Sequence, residues 1–92
     1  MIKSFKHKGL KQLFEKGTLS GVSPKDASRI NDRLQAIDSA NFIDDLDIFT
    51  FNLHQLKGDR VNIWSITVRA NWRITFEFIN GDAYILNLED YH

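Results

Sequence analysis

The spacing of apolar residues changes near residue 48, and this change constrains the fold more than any other feature of the chain. Before it, apolar side chains recur every three or four positions, as on the buried face of a helix. After it, apolar and polar residues alternate, as they do in half-buried strands. The predicted helices include 10–14 and 27–37, and the predicted strands cover 2–5, 49–54, 64–69, 72–78 and about 83–91. This order predicts an α+β fold, with two N-terminal helices packed on one face of an antiparallel sheet of about four to five strands.

Turn-forming residues predict where these elements begin and end. Gly17 is expected to end the first helix, because glycine accepts the left-handed conformation common there. Ser23–Pro24 predicts the start of the second helix, on which Asp26 and Arg33 are expected to face water. Asn80–Gly81 predicts a tight hairpin, since both turn positions need positive φ.

Length and composition exclude several classes of protein. The 92 residues are expected to form one domain, residues 1–92. The absence of cysteine excludes disulfides and thiolate zinc sites and fits a reducing cytoplasm. No apolar run is long enough to span a membrane, and residues 1–5 lack the apolar core of a signal peptide. We therefore expect a cytoplasmic protein that does not contact membranes.

The net charge is zero, but the charges are segregated along the chain. Residues 1–37 hold eight basic and three acidic side chains, whereas 38–47 hold four aspartates and no base. A neutral total argues against strong non-specific binding of nucleic acid, but it permits a local basic site. The acidic block 38–47 is either the end of the second helix with its connecting loop or an interface for a partner protein.

Strand parity predicts that several polar side chains meet on the uncovered face of the sheet. Because the apolar residues of strand 72–78 are expected to face the helices, Arg73 faces the other side. The same alternation places His54 and Tyr91 on that open side. Asp90 and His92 have the opposite parity to Tyr91, so either the strand bulges or frays there or both side chains lie at its rim.

These side chains suit metal-independent cleavage of RNA. A base must take the proton of the ribose 2′-OH, cations must stabilise the charged phosphorane, and an acid must protonate the leaving 5′-oxygen. Histidine titrates in the range needed for base or acid, arginine binds phosphate bidentately, and tyrosine stacks on bases. The candidate residues are His54, Lys57, Arg60, Arg73, Asp90, Tyr91 and His92.

Plainer interpretations exist for each of these residues. A lone histidine such as His54 is often structural, and surface ion pairs with Asp59 or Glu77 would also account for Arg60 and Arg73. The three histidines lack the spacing of metal ligands, so no metal or other cofactor is predicted.

Six segments give the chain a specific resemblance to a known family. They are Met1–Phe5, Lys57–Arg60, Trp64–Ile66, Asn71–Phe76, Gly81–Tyr84 and Glu89–His92. In this order and spacing, the chain resembles the HigB toxins of bacterial toxin–antitoxin pairs, which belong to the RelE/ParE superfamily. The resemblance implies a RelE-like fold and a ribosome-dependent endoribonuclease that cuts mRNA in the A site and inhibits translation.

The resemblance also implies roles for individual residues. The positions that match the family's catalytic set are His54, Asp90, Tyr91 and His92, and those expected to contact phosphate are Lys57, Arg60 and Arg73. The implied reaction is attack by the 2′-OH, which leaves a 2′,3′-cyclic phosphate and a 5′-OH.

Partners and alternative functions follow from the same resemblance. It implies a cognate HigA-like antitoxin with a helix-turn-helix that binds DNA, so that operator DNA is contacted only through the antitoxin. The 70S ribosome and mRNA are the other implied partners. A ParE-like inhibitor of DNA gyrase on the same fold is the alternative, and an antitoxin-binding module with an inactive site is a third hypothesis. The proton-transfer groups favour cleavage, because a gyrase inhibitor does not need them.

Overall fold

A computed structural model describes residues 1–60 and 62–91 and has the predicted α+β architecture. The helices are α1 (Lys8–Lys16) and α2 (Ala27–Ser39), the latter preceded by a 3₁₀ turn at Pro24–Asp26. The strands are β1 (His54–Gln55), β2 (Ile63–Arg69), β3 (Trp72–Ile79) and β4 (Asp82–Asp90). They form an antiparallel sheet in the order β1-β2-β3-β4, which confirms the predicted fold class. Among the described residues, no helix is both long and apolar enough to cross a membrane.

The helices end where the turn-forming residues predict. Gly17 adopts the left-handed conformation after α1, and its N–H bonds back to carbonyls of the last turn. His7 caps the start of α1, because its Nδ1 accepts a hydrogen bond from the Leu10 amide at 3.1 Å. Leu10 and Leu13 are buried on one face of α1, as the apolar spacing predicts.

Asp26 and Arg33 correct the predicted surface of the second helix, because both are buried rather than solvent-facing. Asp26 forms an ion pair with Arg69 of β2, with Nε and Oδ1 2.6 Å apart. Arg33 donates to the Thr67 carbonyl at 2.8 Å and lies over the ring of Phe51. Helical periodicity alone cannot predict these positions, since a charged side chain can be buried when a distant strand supplies its partner.

Two tight turns and a bulge in β4 set which side chains of the sheet face the helices. Asn80 and Gly81 both have positive φ in the β3–β4 turn, as predicted, and Ala70 does so in the β2–β3 turn. The β3–β4 register shifts opposite Phe76, where Ile85 has positive φ. This bulge explains why Ala83 and Leu86 are both buried although they are three positions apart.

Residues 2–5 pair with β4 as two isolated parallel bridges instead of a regular strand. Ile2 pairs with Ala83 and Phe5 pairs with Leu86, with backbone hydrogen bonds on both sides of each bridge. The predicted pairing segment therefore exists, and it lies along the outer edge of the last strand.

The predicted strand over 49–54 is wrong except at its end. Phe49–Phe51 forms a 3₁₀ turn, and strand pairing begins only at His54. Asn52 has a φ of 50°, a left-handed conformation that a strand cannot contain. The alternating apolar residues do not share one buried face, because Phe51 is buried while Phe49 is exposed on the same turn.

Candidate active site

The face of the sheet that the helices leave uncovered carries polar side chains around a small cavity. The cavity has a volume of about 290 Å³. Its lining residues are His54, Gln55, Leu56, Lys57, Ser65, Arg73 and Tyr91. Four of the seven predicted site residues, from segments far apart in the sequence, are thus brought together on the open face.

Pairing between β1 and β2 places His54 at the edge of this cavity. His54 lies opposite Ser65 in the sheet, and its Nδ1 is 2.8 Å from the carbonyl oxygen of Asn52. A carbonyl oxygen only accepts hydrogen bonds, so Nδ1 carries the proton in the neutral ring and Nε2 has the free lone pair. The left-handed Asn52 turns the chain so that its carbonyl reaches the imidazole.

The β2–β3 turn holds both Arg73 and Tyr91. Arg73 Nη1 donates to the Ala70 carbonyl at 3.0 Å, and the Tyr91 amide donates to the Asn71 carbonyl at 2.8 Å. The guanidinium carbon of Arg73 lies 5.8 Å from the centroid of the Tyr91 ring. This distance is within the range of a cation–π contact, which aligns the two side chains at one wall of the cavity.

Arg60 lies in a neighbouring hollow of about 240 Å³ on the same face. It forms a two-point ion pair with Glu89, with separations of 3.0 Å and 2.5 Å, and Glu89 also accepts a hydrogen bond from Thr75. The hydrogen bonds from Arg60 lower the pKa of Glu89, and burial opposes this only in part. The same pair raises the pKa of Arg60 above its usual value.

The last two predicted residues are placed differently. Asp90 is exposed, pairs with Trp72 across the sheet, and is not among the residues that line the cavity. Its position agrees with the predicted parity, which is opposite to that of Tyr91. His92 lies outside the described residues.

Several residues of the open face were missed by sequence reasoning. Ser65 and Gln55 line the cavity, and Lys6, Thr75 and Glu89 line the neighbouring hollow. Parity held a signal for three of them, because Ser65 and Thr75 occupy polar positions of their strands, as Arg73 does, and Glu89 shares the face of Tyr91. Lys6 reaches this hollow only through the pairing of the N-terminal segment with β4.

The fixed charge that lines the cavity is positive and comes from Lys57 and Arg73. Such a lining suits an anionic ligand such as a phosphodiester. Within residues 1–60 and 62–91, no three histidine, cysteine, aspartate or glutamate side chains lie together as a metal site requires.

Comparison with known proteins decides the family. A model of the HigB-like toxins, described as the RelE-like toxin of the type II toxin–antitoxin system HigB, matches residues 3–92. The chain belongs to the HigB-like toxins. Among its relatives, the Endoribonuclease HigB of Proteus vulgaris is 73% identical over 92 residues, which is 100% of both chains.

Membership in the HigB-like toxins confirms the resemblance that the six sequence segments carry. A toxin of a type II system has an antitoxin as its partner, so this part of the partner prediction is also confirmed. Both comparisons point to HigB, and neither supports the alternative of a ParE-like gyrase inhibitor.

Proposed function

We propose that this HigB-like toxin is an endoribonuclease that cleaves mRNA in the cavity of the open face. The observation that carries the proposal is the meeting of His54, Lys57, Arg73 and Tyr91 around one small cavity. A base and two cations are among the groups that metal-independent cleavage of RNA requires, and an aromatic ring provides a surface on which a nucleobase stacks. The name of the Proteus vulgaris relative, an endoribonuclease, supports the same reaction class.

His54 acts as the base in the proposed reaction. Because Nδ1 is directed at the Asn52 carbonyl, the lone pair of Nε2 takes the proton of the ribose 2′-OH. The 2′-oxygen then attacks the adjacent phosphorus, and a bond forms between them. Arg73 and Lys57 stabilise the extra negative charge of the phosphorane, and Tyr91 stacks on the neighbouring base.

Collapse of the phosphorane breaks the bond between phosphorus and the 5′-oxygen. His92 supplies the proton that this oxygen needs, and Asp90 orients that histidine or assists the transfer, as the family's pattern implies. Arg60 extends the contacts along the phosphate backbone from the neighbouring hollow. The products are a 2′,3′-cyclic phosphate on one fragment and a 5′-OH on the other.

The ribosome presents the mRNA in this proposal. A chain with a net charge of zero binds free RNA weakly, so placement of the message in the A site supplies the affinity that the toxin lacks. Because mRNA is translated in the cytoplasm, the toxin acts there. Its antitoxin is a HigA-like helix-turn-helix protein, through which operator DNA is contacted.

Replacement of Arg73 tests the proposal. We expect Arg73→Ala to lower mRNA cleavage by about 10²–10³-fold, because a preorganised cation at the phosphorane is lost. The matched control is Arg29→Ala, an exposed arginine of α2, which should cleave like the wild type. Cleavage is measured by primer extension on a translated message, with and without ribosomes, and folding is checked by circular dichroism.

Each outcome of this experiment is informative. Ribosome-dependent cuts that disappear in Arg73→Ala but persist in Arg29→Ala support the cavity as the active site. Equal cleavage by a folded Arg73→Ala protein would show that the cavity is not the active site. DNA damage without mRNA cuts would contradict endoribonuclease function altogether.

A further inference from the structure

The segment after α2 exposes two phenylalanine side chains to solvent. Phe42 is 72% exposed and Phe49 is 98% exposed, and Ile48 between them is 42% exposed. Single exposed apolar side chains are common on protein surfaces, whereas several of them within one short segment suit a surface that another molecule contacts. We call Phe42, Asp44, Asp47, Ile48 and Phe49 the apolar–acidic surface.

Hydrogen bonds and a buried anchor give this surface a defined shape. The Asp45 carboxylate accepts hydrogen bonds from the Asn41 and Phe42 amides at 2.9 Å and 3.1 Å. Leu46 is fully buried below the turn, and Phe51 is buried at the end of the segment. The fold thus fixes the backbone on both sides of the exposed rings. Because this segment is already ordered, it loses less conformational entropy when a partner binds.

A shallow hollow beside Phe42 offers space for side chains of a partner. Its volume is about 560 Å³. The lining residues are Asn41, Phe42, Ile43, Trp64, Phe78, Asn80 and Gly81. An exposed aromatic ring next to a hollow with aromatic walls is typical of the places where interface hot spots are concentrated.

The negative charge of the apolar–acidic surface indicates which kind of partner binds it. No lysine or arginine occurs from residue 38 to residue 56, whereas Asp44 and Asp47 are exposed in the same short segment as the two phenylalanines. An acidic surface repels the phosphates of ribosomal RNA and mRNA, and it attracts a protein segment that carries basic residues between apolar ones. We propose that the apolar–acidic surface binds a basic, apolar segment of the antitoxin.

This inference rests on membership in a toxin–antitoxin family and is independent of the proposed cleavage chemistry. The hollow beside Phe42 and the cavity of His54 and Arg73 share no lining residue. A failure of one assignment therefore leaves the other testable, because antitoxin binding and mRNA cleavage are separate measurements.

The test measures the dissociation constant of purified toxin for the purified antitoxin of the same pair. We expect Phe42→Ser/Phe49→Ser to weaken binding by about 30-fold or more, the loss typical of interface hot spots. Asp44→Lys/Asp47→Lys should also weaken binding, and most strongly at low salt. The matched control is Leu19→Ser, which removes a 46% exposed leucine from the loop before α2 and should leave binding unchanged. All variants should cleave mRNA like the wild type.

Hydroxyl-radical footprinting of the wild-type toxin gives a second measurement. Because it uses no substituted protein, misfolding of a variant cannot affect it. We expect the antitoxin to protect Phe42 and Phe49 from oxidation while Leu19 stays reactive. Unchanged affinity in folded variants, or undiminished oxidation of both rings in the complex, would overturn the proposal. If the variants lose mRNA cleavage but keep their antitoxin affinity, the surface binds the ribosome instead. If the two rings are protected in the toxin alone because it self-associates, the surface binds a second copy of this chain instead.

Discussion

The ionised carboxylate of Glu89 binds two side chains of the open face, those of Arg60 and Thr75. It accepts hydrogen bonds from Arg60 and from the hydroxyl of the buried Thr75. The pKa of Glu89 is lowered mainly by Arg60, so the folded state favours the ionised form. The ion pair therefore links the stability of the toxin to pH.

Glu89→Gln is expected to reduce stability near neutral pH and to have little effect in acid. Above the ordinary glutamate pKa of 4.5, Glu89 is ionised in both states and its stabilising contribution is complete. As the pH falls toward the lowered pKa of the folded state, the unfolded state binds the proton first and the contribution is lost. Urea unfolding from about pH 7 to about pH 3 should thus show the wild-type and Glu89→Gln curves converging in acid.

Arg60→Gln provides the matched control for this prediction. It removes the other half of the pair, so it should also reduce stability at neutral pH, and Glu89→Gln should cost less in that background than in the wild type. Wild-type and Glu89→Gln curves that remain parallel over the whole pH range would contradict the assigned linkage.

At the scale of elements, the sequence predicted what depends on local spacing and on turn chemistry. The helix end at Gly17 and the Asn80–Gly81 hairpin were both correct, because each needs a backbone conformation that few residues adopt. The bulge at Ile85 was not predicted, since it depends on contacts between strands. Tyr91 was nevertheless assigned to the correct face, because the bulge at Ile85 precedes Leu86 and Leu88 and does not change the alternation from them to Tyr91.

The candidate site was predicted in part, because the alternation of side chains along a strand shows which of them share a face. Parity brought His54, Arg73 and Tyr91 to one face, and the structure places all three around the cavity. The pairing of Arg60 with Glu89 could not be predicted, because 29 positions separate the two residues. For His54, the face was correct although the strand predicted before it was replaced by a 3₁₀ turn.

Asn52 connects that turn to β1, and its left-handed backbone makes a specific prediction. Asn52→Gly should keep stability and mRNA cleavage near wild type, because glycine adopts positive φ readily. Asn52→Val should cost about 1–2 kcal/mol of stability, since a β-branched side chain clashes in this conformation.

Asn52→Val should also reduce mRNA cleavage, because the Asn52 carbonyl orients His54. Urea unfolding and primer extension provide the measurements, and equal behaviour of the two variants would contradict this role of the turn.

At the scale of the whole molecule, the ion pair of Asp26 and Arg69 connects the helical layer to the sheet. Asp26 precedes α2 directly, and Arg69 is the last residue of β2. The hydrogen bonds from Arg69 lower the pKa of Asp26, so the pair favours the ionised carboxylate in the folded state.

Asp26→Ala should therefore lower the melting temperature by several degrees, because it leaves the charge of Arg69 without its buried partner. The control is Asp32→Ala, an exposed aspartate on α2 that should change the melting temperature little. Differential scanning calorimetry at pH 7 compares the two. Equal melting temperatures would mean that the pair does not connect the two layers energetically.

The parallel bridges between residues 2–5 and β4 join segments that are far apart in the chain. Ser4 and Ile85, which form one of the hydrogen bonds along this edge, are 81 positions apart, so forming this contact closes a long loop. Contacts between such distant segments raise the contact order of the fold, and a high contact order slows folding. The edge beside β4 is therefore expected to form late, after the local β2–β3 and β3–β4 hairpins.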